Sequence, residues 1–302
     1  MVDSPAVVVL VGPTASGKSA VALAVARAHG GEIVSCDSLQ VYRGLDIGSA
    51  KATPAERRDV PHHLLDVVDP DQDFSAADYA RLARAAITDI LARGRLPVVA
   101  GGTGLYLRAL RRGLFAGPSR DPEFRRRLER VAEKRGDAAL HRLLARVDPE
   151  SAARTSPRDR LRVVRALEVY RATGRPLSAH HREETPAADP WRWLVIGIDR
   201  PRDELRTAVE ARTEAMFAAG LVEEVRALLA RYPADLRPLR AIGYRQAAAV
   251  VRGEQTALQA QRDIVKETMR YAKRQMTWFR HQEEARWFGA AEARAAIGEW
   301  LG

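Results

Sequence analysis

One octapeptide constrains this chain more than any other feature. It is Gly12-Pro13-Thr14-Ala15-Ser16-Gly17-Lys18-Ser19, which fits the pattern G-x-x-x-x-G-K-[ST]. An apolar run at 6–11 enters the octapeptide and a helix-like run at 20–29 leaves it. In such a strand–loop–helix setting, the amides at the helix N-terminus meet the charge of a phosphate, the lysine adds a positive charge and the serine hydroxyl can ligate Mg²⁺. We therefore predict that this loop binds a diphosphate, with Ser19 as the protein ligand of Mg²⁺.

The composition predicts a globular protein that does not associate with a membrane. The chain has 302 residues, of which 46% are hydrophobic, enough for one large domain or two modest ones. No apolar run approaches the roughly 18 residues that a membrane span requires. The N-terminus runs into the first strand without a basic segment, so we expect a cytoplasmic protein. The one cysteine, Cys36, excludes an intramolecular disulfide and a zinc cluster built on cysteines.

The positive charge of the chain is concentrated in two regions. The net charge is +10. Residues 119–188 hold 17 Lys and Arg against 11 Asp and Glu, and residues 236–282 hold 10 against 3. The rest of the chain is therefore slightly acidic. A solvated surface could explain either region alone, but their concentration favours a nucleic acid as the partner.

The order of the predicted elements indicates an α/β fold. Buried strands are predicted at 6–11, 32–36, 64–68, 96–100 and 193–198, with a last edge strand at 286–289. A helix is predicted from Ser75 to Arg93, with a start that resembles a capping box. Between 119 and 188 the strand signals stop and the sequence becomes helical and basic. We therefore predict a P-loop NTPase-like parallel sheet core, 1–118 and 189–302, with an inserted all-helical domain at 119–188.

The ends of two strands should place chemistry beside the phosphate loop. Asp37 follows the second predicted strand, and Gly101-Gly102-Thr103-Gly104 follows the strand at 96–100. Because ligands of open parallel sheets bind at the carboxyl ends of the strands, we expect both to line one crevice with the loop. Asp37 is a candidate general base, although it could instead bind Mg²⁺ through water or act as a cap. The Gly-Gly-Thr ending leaves no acid at the usual Walker-B position, which argues against a routine NTP hydrolase; Asp66 and Asp69 are possible substitutes.

Several further segments resemble the bacterial tRNA dimethylallyltransferases across nearly the whole chain. Besides the octapeptide, they are 37–42 (DSLQVY) with 46–51 (DIGSAK), 61–64 (PHHL), 101–106 (GGTGLY), 162–169 (RVVRALEV), 240–245 (RAIGYR) and 273–280 (KRQMTWFR). A P-loop alone is unspecific, but the combination is highly specific. Ser19 and Ser49 stand where threonine is common in that family, and both keep the hydroxyl.

The resemblance implies transfer of a dimethylallyl group from its diphosphate to the exocyclic amine of the adenine 3′ of the anticodon in tRNA. The octapeptide then holds dimethylallyl diphosphate with Mg²⁺, and the adenine is extruded into the crevice. The catalytic residues implied are Asp37, Lys18, Thr103 and Arg212, with Arg212 and Lys18 stabilising the leaving diphosphate and Asp37 taking the proton of the amine.

The resemblance also implies a tRNA surface, in part on the inserted domain, which would grip the anticodon stem. The residues assigned to tRNA contact are Asp37, Ser38, Leu39, Gln40, Thr103, Arg125, Leu161, Arg162, Val163, Val164, Arg165, Arg240, Ala241, Ile242, Gly243, Tyr244 and Arg245. We expect a monomer. Two other functions remain open from the residues alone, a P-loop small-molecule kinase and a nucleic-acid-dependent ATPase.

Overall fold

The computed structural model describes residues 4–115, 117–118, 121–183 and 189–302. The chain forms two compact units: Met1–Arg111 with Asp189–Gly302, and Arg112–Ala188. The first unit contains a six-stranded sheet in which every pair of neighbouring strands is parallel, so the α/β prediction is confirmed. Its order is β3-β2-β4-β1-β5-β6. The strands are β1 Ala6–Val11, β2 Glu32–Cys36, β3 His62–His63, β4 Pro97–Gly101, β5 Arg192–Ile198 and β6 Arg286–Phe288.

The central strands are buried on both faces, which explains why they are continuous apolar runs rather than alternating ones. In β1, Val7 and Val9 pack into one hydrophobic core while Val8 and Leu10 pack into another on the opposite face. Hydrogen bonds to β4 and β5 flank β1 on its two sides. The loop after β1 therefore leaves the middle of the sheet, where neighbouring strand ends surround it.

Helices of the first unit cover the two faces of the sheet. The predicted helix at 75–93 is confirmed as α3, and its capping box is present: the Ser75 hydroxyl accepts from the Asp78 amide while the Asp78 carboxylate accepts from the Ser75 amide. The helices of this unit are α1 Lys18–Ala28, α2 Pro54–Asp59, α3 Ala76–Ala92, α4 Gly104–Arg112 (which ends at the boundary of the unit), α10 Arg202–Ala218, α11 Leu221–Arg231, α12 Tyr244–Val251, α13 Ala257–Gln282 and α14 Ala290–Leu301.

The strand predicted at 64–68 is wrong. The strand β3 lies earlier, at His62–His63, and pairs with β2. Leu64 and Asp66 both have positive φ, 63° and 56°, and this left-handed conformation cannot continue a strand. Only a single bridge, between Tyr42 and Val68, remains from that segment. The apolar residues that suggested a strand instead pack as a loop against the first core.

The second unit is helical in its described residues. Leu140, Leu144 and Val163 are fully buried in its own hydrophobic core. Asp148 is also buried and caps α7 by accepting from the Ser151 amide. The unit contains α5 Pro122–Arg135, α6 Asp137–Val147, α7 Pro149–Arg154, α8 Arg160–Thr173 and α9 Leu177–Glu183, of which α7 and α9 were not predicted. In the described residues of both units, no helix combines the length and apolarity that crossing a bilayer requires.

Candidate functional site

The phosphate loop connects β1 to α1 in the predicted strand–loop–helix arrangement. Gly12 has φ 142°, and a Cβ atom at this position would lie 2.6 Å from the carbonyl oxygen of Ile198 at the end of β5. Only glycine permits this close approach of two backbones. The loop is thereby held against the neighbouring strand, and α1 begins at Lys18. Its free N-terminal amides therefore face the space above the sheet, where an anion would be stabilised.

Lys18 carries a cation with an unusually low pKa. Its Nζ donates to the carbonyl oxygen of Pro13 at 2.7 Å. Burial of the ammonium group, helped by the nearby positive charge of Arg212, lowers the pKa of Lys18 from 10.5 to about 7, although the negative charge of Asp37 opposes the shift. The lysine is thus poised to gain a proton when a negative group arrives beside it.

Asp37 follows the last residue of β2 and is oriented by its own turn. Its Oδ1 accepts from the Leu39 amide at 2.8 Å, and its Oδ2 has no hydrogen-bond partner among the described residues. The next amide, that of Ser38, donates to Oγ1 of Thr103 at 3.0 Å. Thr103 therefore fixes the backbone beside Asp37 from the second glycine-rich turn. One carboxylate oxygen of Asp37 remains available to a substrate.

Two cavities of the first unit meet at Asp37. A cavity of about 360 Å³ is lined by the phosphate loop, and a cavity of about 390 Å³ lies beside it. They share four lining residues: Thr14, Asp37, Ser49 and Arg212. Both volumes are in the range of small-molecule sites. The larger cavity of about 1400 Å³, between α10 and α13, includes only Pro13 of the predicted site residues.

Arg212 projects from α10 to the junction of these two cavities. It makes no hydrogen bond or ion pair with any residue that the structure describes. Burial lowers the pKa of its guanidinium group, and the negative charge of Asp37 opposes that shift. Since a desolvated cation without a partner is costly, an anion in the phosphate-loop cavity would stabilise Arg212.

Two residues of this site were missed by the sequence analysis. Gln275 on α13 is buried; its Oε1 accepts from the Thr14 amide and its Nε2 donates to the Gly102 carbonyl, each at 2.9 Å. It therefore joins the phosphate loop to the second glycine-rich turn. Arg200, just after β5, donates to the Ala15 carbonyl at 2.9 Å and lines the phosphate-loop cavity. Gln275 lies in the 273–280 segment, the signal that could have identified it, whereas Arg200 has no comparable signal.

The residues assigned to tRNA in the first unit fall into two groups. Some line the 390 Å³ cavity, and they are Asp37, Ser38, Leu39, Arg240, Ala241, Ile242 and Gly243. Others are engaged within the protein: the amide of Gln40 bonds to Ser35 and to the carbonyls of Ser49 and Ala50, Tyr244 is fully buried, and Arg245 forms an ion pair with Glu267. Thr103 lines neither cavity.

The assigned residues of the second unit surround a buried carboxylate. Glu168 accepts from Nε and Nη2 of Arg125, at 2.8 and 2.9 Å, and from Nη1 of Arg165 at 2.8 Å. Although burial opposes the shift, these hydrogen bonds lower the pKa of Glu168 to about 2. Arg162 and Leu161 are exposed, whereas the side chains of Val163 and Val164 belong to the core.

The substitutes considered for the Walker-B acid are engaged elsewhere. Asp66 accepts from Lys51 and Arg57, at 2.7 and 2.8 Å, and Asp69 lies 3.3 Å from Arg43. Neither lines the phosphate-loop cavity. Within the described ranges, no group of three or more His, Cys, Asp or Glu side chains is arranged to hold a metal ion. Oxygen ligands near the loop are limited to groups such as the Ser19 hydroxyl and the Asp37 carboxylate, which line one cavity.

Comparisons with known proteins agree on one family. Residues 40–282 match the family described as IPP transferase. The chain is 53% identical over 281 residues, 93% of its length and 91% of the relative's, to the tRNA dimethylallyltransferase of Geobacter metallireducens. It is 50% identical to that of Myxococcus xanthus, with the same two shares covered.

Solved structures give the same result. The tRNA isopentenylpyrophosphate transferase of Bacillus halodurans is similar over 98% of this chain and 95% of its own, with a TM-score of 0.71 and 36% identity. A eukaryotic dimethylallyltransferase, solved in crystallographic snapshots of its action on tRNA, is similar over 95% of this chain and 74% of its own, with a TM-score of 0.79 and 25% identity.

Proposed function

The chain belongs to the IPP transferase family, and from this premise we propose that it transfers a dimethylallyl group from dimethylallyl diphosphate to N6 of the adenine 3′ of the anticodon in tRNA. The observation that supports this most directly is the pair of cavities joined at Asp37 and Arg212. One cavity presents a phosphate loop and the other an apolar-walled space for a base. A diphosphate and an adenine can therefore meet at a carboxylate.

In this proposal, the phosphate-loop cavity stabilises the leaving group. The allylic C–O bond breaks with its electron pair passing to the diphosphate, whose negative charge grows in the transition state. Lys18, Arg212 and the N-terminal amides of α1 are positioned around that charge. Because these groups are fixed before the reaction, their stabilisation of the developing charge costs little reorganisation.

Asp37 is the proposed general base. The N6 lone pair of the adenine forms the new bond to C1 of the dimethylallyl group, and the N6 proton passes to the carboxylate. Oδ1 is held by the Leu39 amide, which leaves Oδ2 for the substrate. Thr103 contributes by holding the Ser38 backbone, and its hydroxyl hydrogen remains free to donate.

The residues at the loop fit a magnesium ion. Mg²⁺ prefers oxygen ligands, keeps several waters and is bound through one or two protein groups plus substrate phosphates. The Ser19 hydroxyl is exposed in the cavity that Asp37 also lines, so Ser19 would ligate the ion directly and Asp37 through water. Bound there, Mg²⁺ would neutralise charge on the diphosphate as it leaves.

We propose that the second unit, predicted as an insertion at 119–188, grips the anticodon stem. Its support is the net positive charge of the segment and the exposed Arg162, whose side chain is 68% exposed and lies 3.4 Å from Asp159 alone. Because the lining of both cavities comes from one unit of one chain, we also propose that the protein acts as a monomer. With tRNA as substrate, its proposed location is the cytoplasm.

One incubation tests the function directly. The protein, Mg²⁺ and radiolabelled dimethylallyl diphosphate are mixed with unmodified tRNA, and label in the RNA is measured; parallel reactions contain labelled ATP instead. The expected result is label in tRNA from the prenyl donor and none from ATP. ATP hydrolysis that depends on RNA, or phosphate transfer to a small molecule, would instead identify an ATPase or a kinase.

A further inference from the structure

The segment 45–51 forms a wall of both cavities although it has no regular secondary structure over most of its length. Gly48 and Ser49 line the base cavity, and Ser49 and Ala50 line the phosphate-loop cavity. Ala50 has φ 48°, a left-handed conformation that is unfavourable for alanine. The position of this wall must therefore be maintained by contacts from other elements.

Glu224 on α11 supplies such contacts to three successive amides. Its Oε2 accepts from the amides of Asp46 and Ile47, at 3.1 and 2.7 Å, and its Oε1 accepts from the amide of Gly48 at 3.2 Å. An ionised carboxylate accepts about four hydrogen bonds, and bonds to a charged group are the stronger ones. Three of its four positions are thus occupied by the wall.

Tyr244 occupies the fourth position. Its hydroxyl donates to Oε1 of Glu224 at 2.9 Å. Its fully buried ring lies against Gly48 so closely that a Cβ atom there would be 2.6 Å from Cζ. Tyr244 also begins α12, directly after Gly243, which lines the base cavity together with Arg240, Ala241 and Ile242. One carboxylate therefore connects the wall with a second side of the base cavity.

We propose that Glu224, with Tyr244, is a positioning residue for the transfer reaction: it holds the wall 46–50 where the two substrates meet. This inference rests on the proposed placement of the diphosphate and the adenine in the two cavities. Glu224 lines neither cavity and touches no reacting atom. It acts through the backbone of the wall, and displacement of a wall by about 1 Å can reduce a rate by roughly 100-fold.

The test compares two conservative variants with a neighbouring control. Glu224→Gln keeps the shape, but its amide nitrogen is a donor and would face backbone amides that are also donors. Tyr244→Phe removes a single hydroxyl. Glu223→Gln is the matched control because Glu223 is the adjacent residue, its side chain is 67% exposed and its ion pair with Arg226 is on the surface. Each variant is characterised by its melting temperature, by kcat and KM for both substrates, and by hydrogen exchange of the amides at 46–48.

For Glu224→Gln we expect faster exchange at 46–48 and a fall in kcat of about ten- to 100-fold at saturating substrates. For Tyr244→Phe we expect a smaller fall in kcat and faster exchange at 48, and for Glu223→Gln no change in either quantity. A purely structural role would lower the melting temperature while kcat of the folded fraction stayed at the value of the control. That result would overturn the proposal, as would unchanged exchange.

Two further arms keep the result decisive. If Glu224→Gln does not fold, Tyr244→Phe decides, and a Phe variant with normal kcat and normal exchange at Gly48 overturns the proposal. Lys18→Ala tests the placement of the diphosphate separately. Normal turnover of Lys18→Ala would remove the proposed function itself, whereas an inactive Lys18→Ala beside a normal Glu224→Gln would remove only the positioning role.

Discussion

Binding of dimethylallyl diphosphate should take up a proton at Lys18, and the magnitude depends on pH in a definite way. In the unliganded protein, burial lowers the pKa of Lys18 to about 7. A diphosphate beside Nζ favours the charged form and raises that pKa. At pH 8 about 0.9 of Lys18 is neutral before binding and charged afterwards, so about 0.9 proton should be taken up; at pH 6 the uptake should be about 0.1.

The sign follows from the direction of the shift. Because the ligand binds best to protonated Lys18, its affinity should fall as the pH rises above 7, by up to about tenfold per pH unit until the pKa of the complex is reached. The terminal phosphate of the ligand has a pKa near 6, so its own ionisation is complete at pH 8 and does not account for uptake there. Below pH 7 the lysine is already charged, and this dependence should disappear.

Calorimetry measures the uptake. Titrations without tRNA, at constant excess Mg²⁺, in two buffers with different ionisation enthalpies give the number of protons at pH 6, 7 and 8. In Lys18→Arg, the guanidinium keeps its charge throughout, and the uptake at pH 8 should vanish while binding remains. Uptake below about 0.3 proton at pH 8 in the unaltered protein, or equal uptake in Lys18→Arg, would refute the argument.

Three substitutions test other parts of the site. Asp37→Asn should reduce the single-turnover rate by about 10²–10⁴, because the amide cannot accept the N6 proton, with little change in diphosphate affinity; near-normal turnover would require another base. Gln275→Ala should lower the melting temperature and raise KM for the prenyl donor, since it leaves the Thr14 amide and the Gly102 carbonyl unpaired, and an unchanged KM would limit Gln275 to stability. Arg162→Ala, and Arg162→Ala combined with Arg165→Ala, should weaken tRNA binding and flatten its dependence on log salt, by roughly one unit of slope per lost contact on duplex; Arg165→Ala alone should also lower the melting temperature, because Arg165 pairs with the buried Glu168, and an unchanged salt slope in the double variant would exclude phosphate contacts at this helix.

The sequence by itself determined the local features that depend on neighbouring residues. The strand, glycine-rich loop and helix at 6–29 were predictable because the motif and the apolar run are contiguous. The same is true of α3, whose capping box involves residues three apart, and of the helix that Gly174 ends with a left-handed φ of 69°. The position of Asp37 at the end of β2 followed from the apolar run before it. The resemblance of several segments supplied the family, which the comparisons then showed.

Only the tertiary structure decided which distant residues share a contact. The segment 64–68 has the composition of a strand, but positive φ at Leu64 and Asp66 makes it a loop, and no short-range signal predicts this. Gln275 meets Thr14, 261 positions away, and Glu224 meets the amides 46–48, about 180 positions away. Such contacts depend on how α11 and α13 pack against the sheet. Spacing along the chain carries no record of that packing, whereas caps, glycine turns and apolar periodicity are short-range properties that the sequence contains directly.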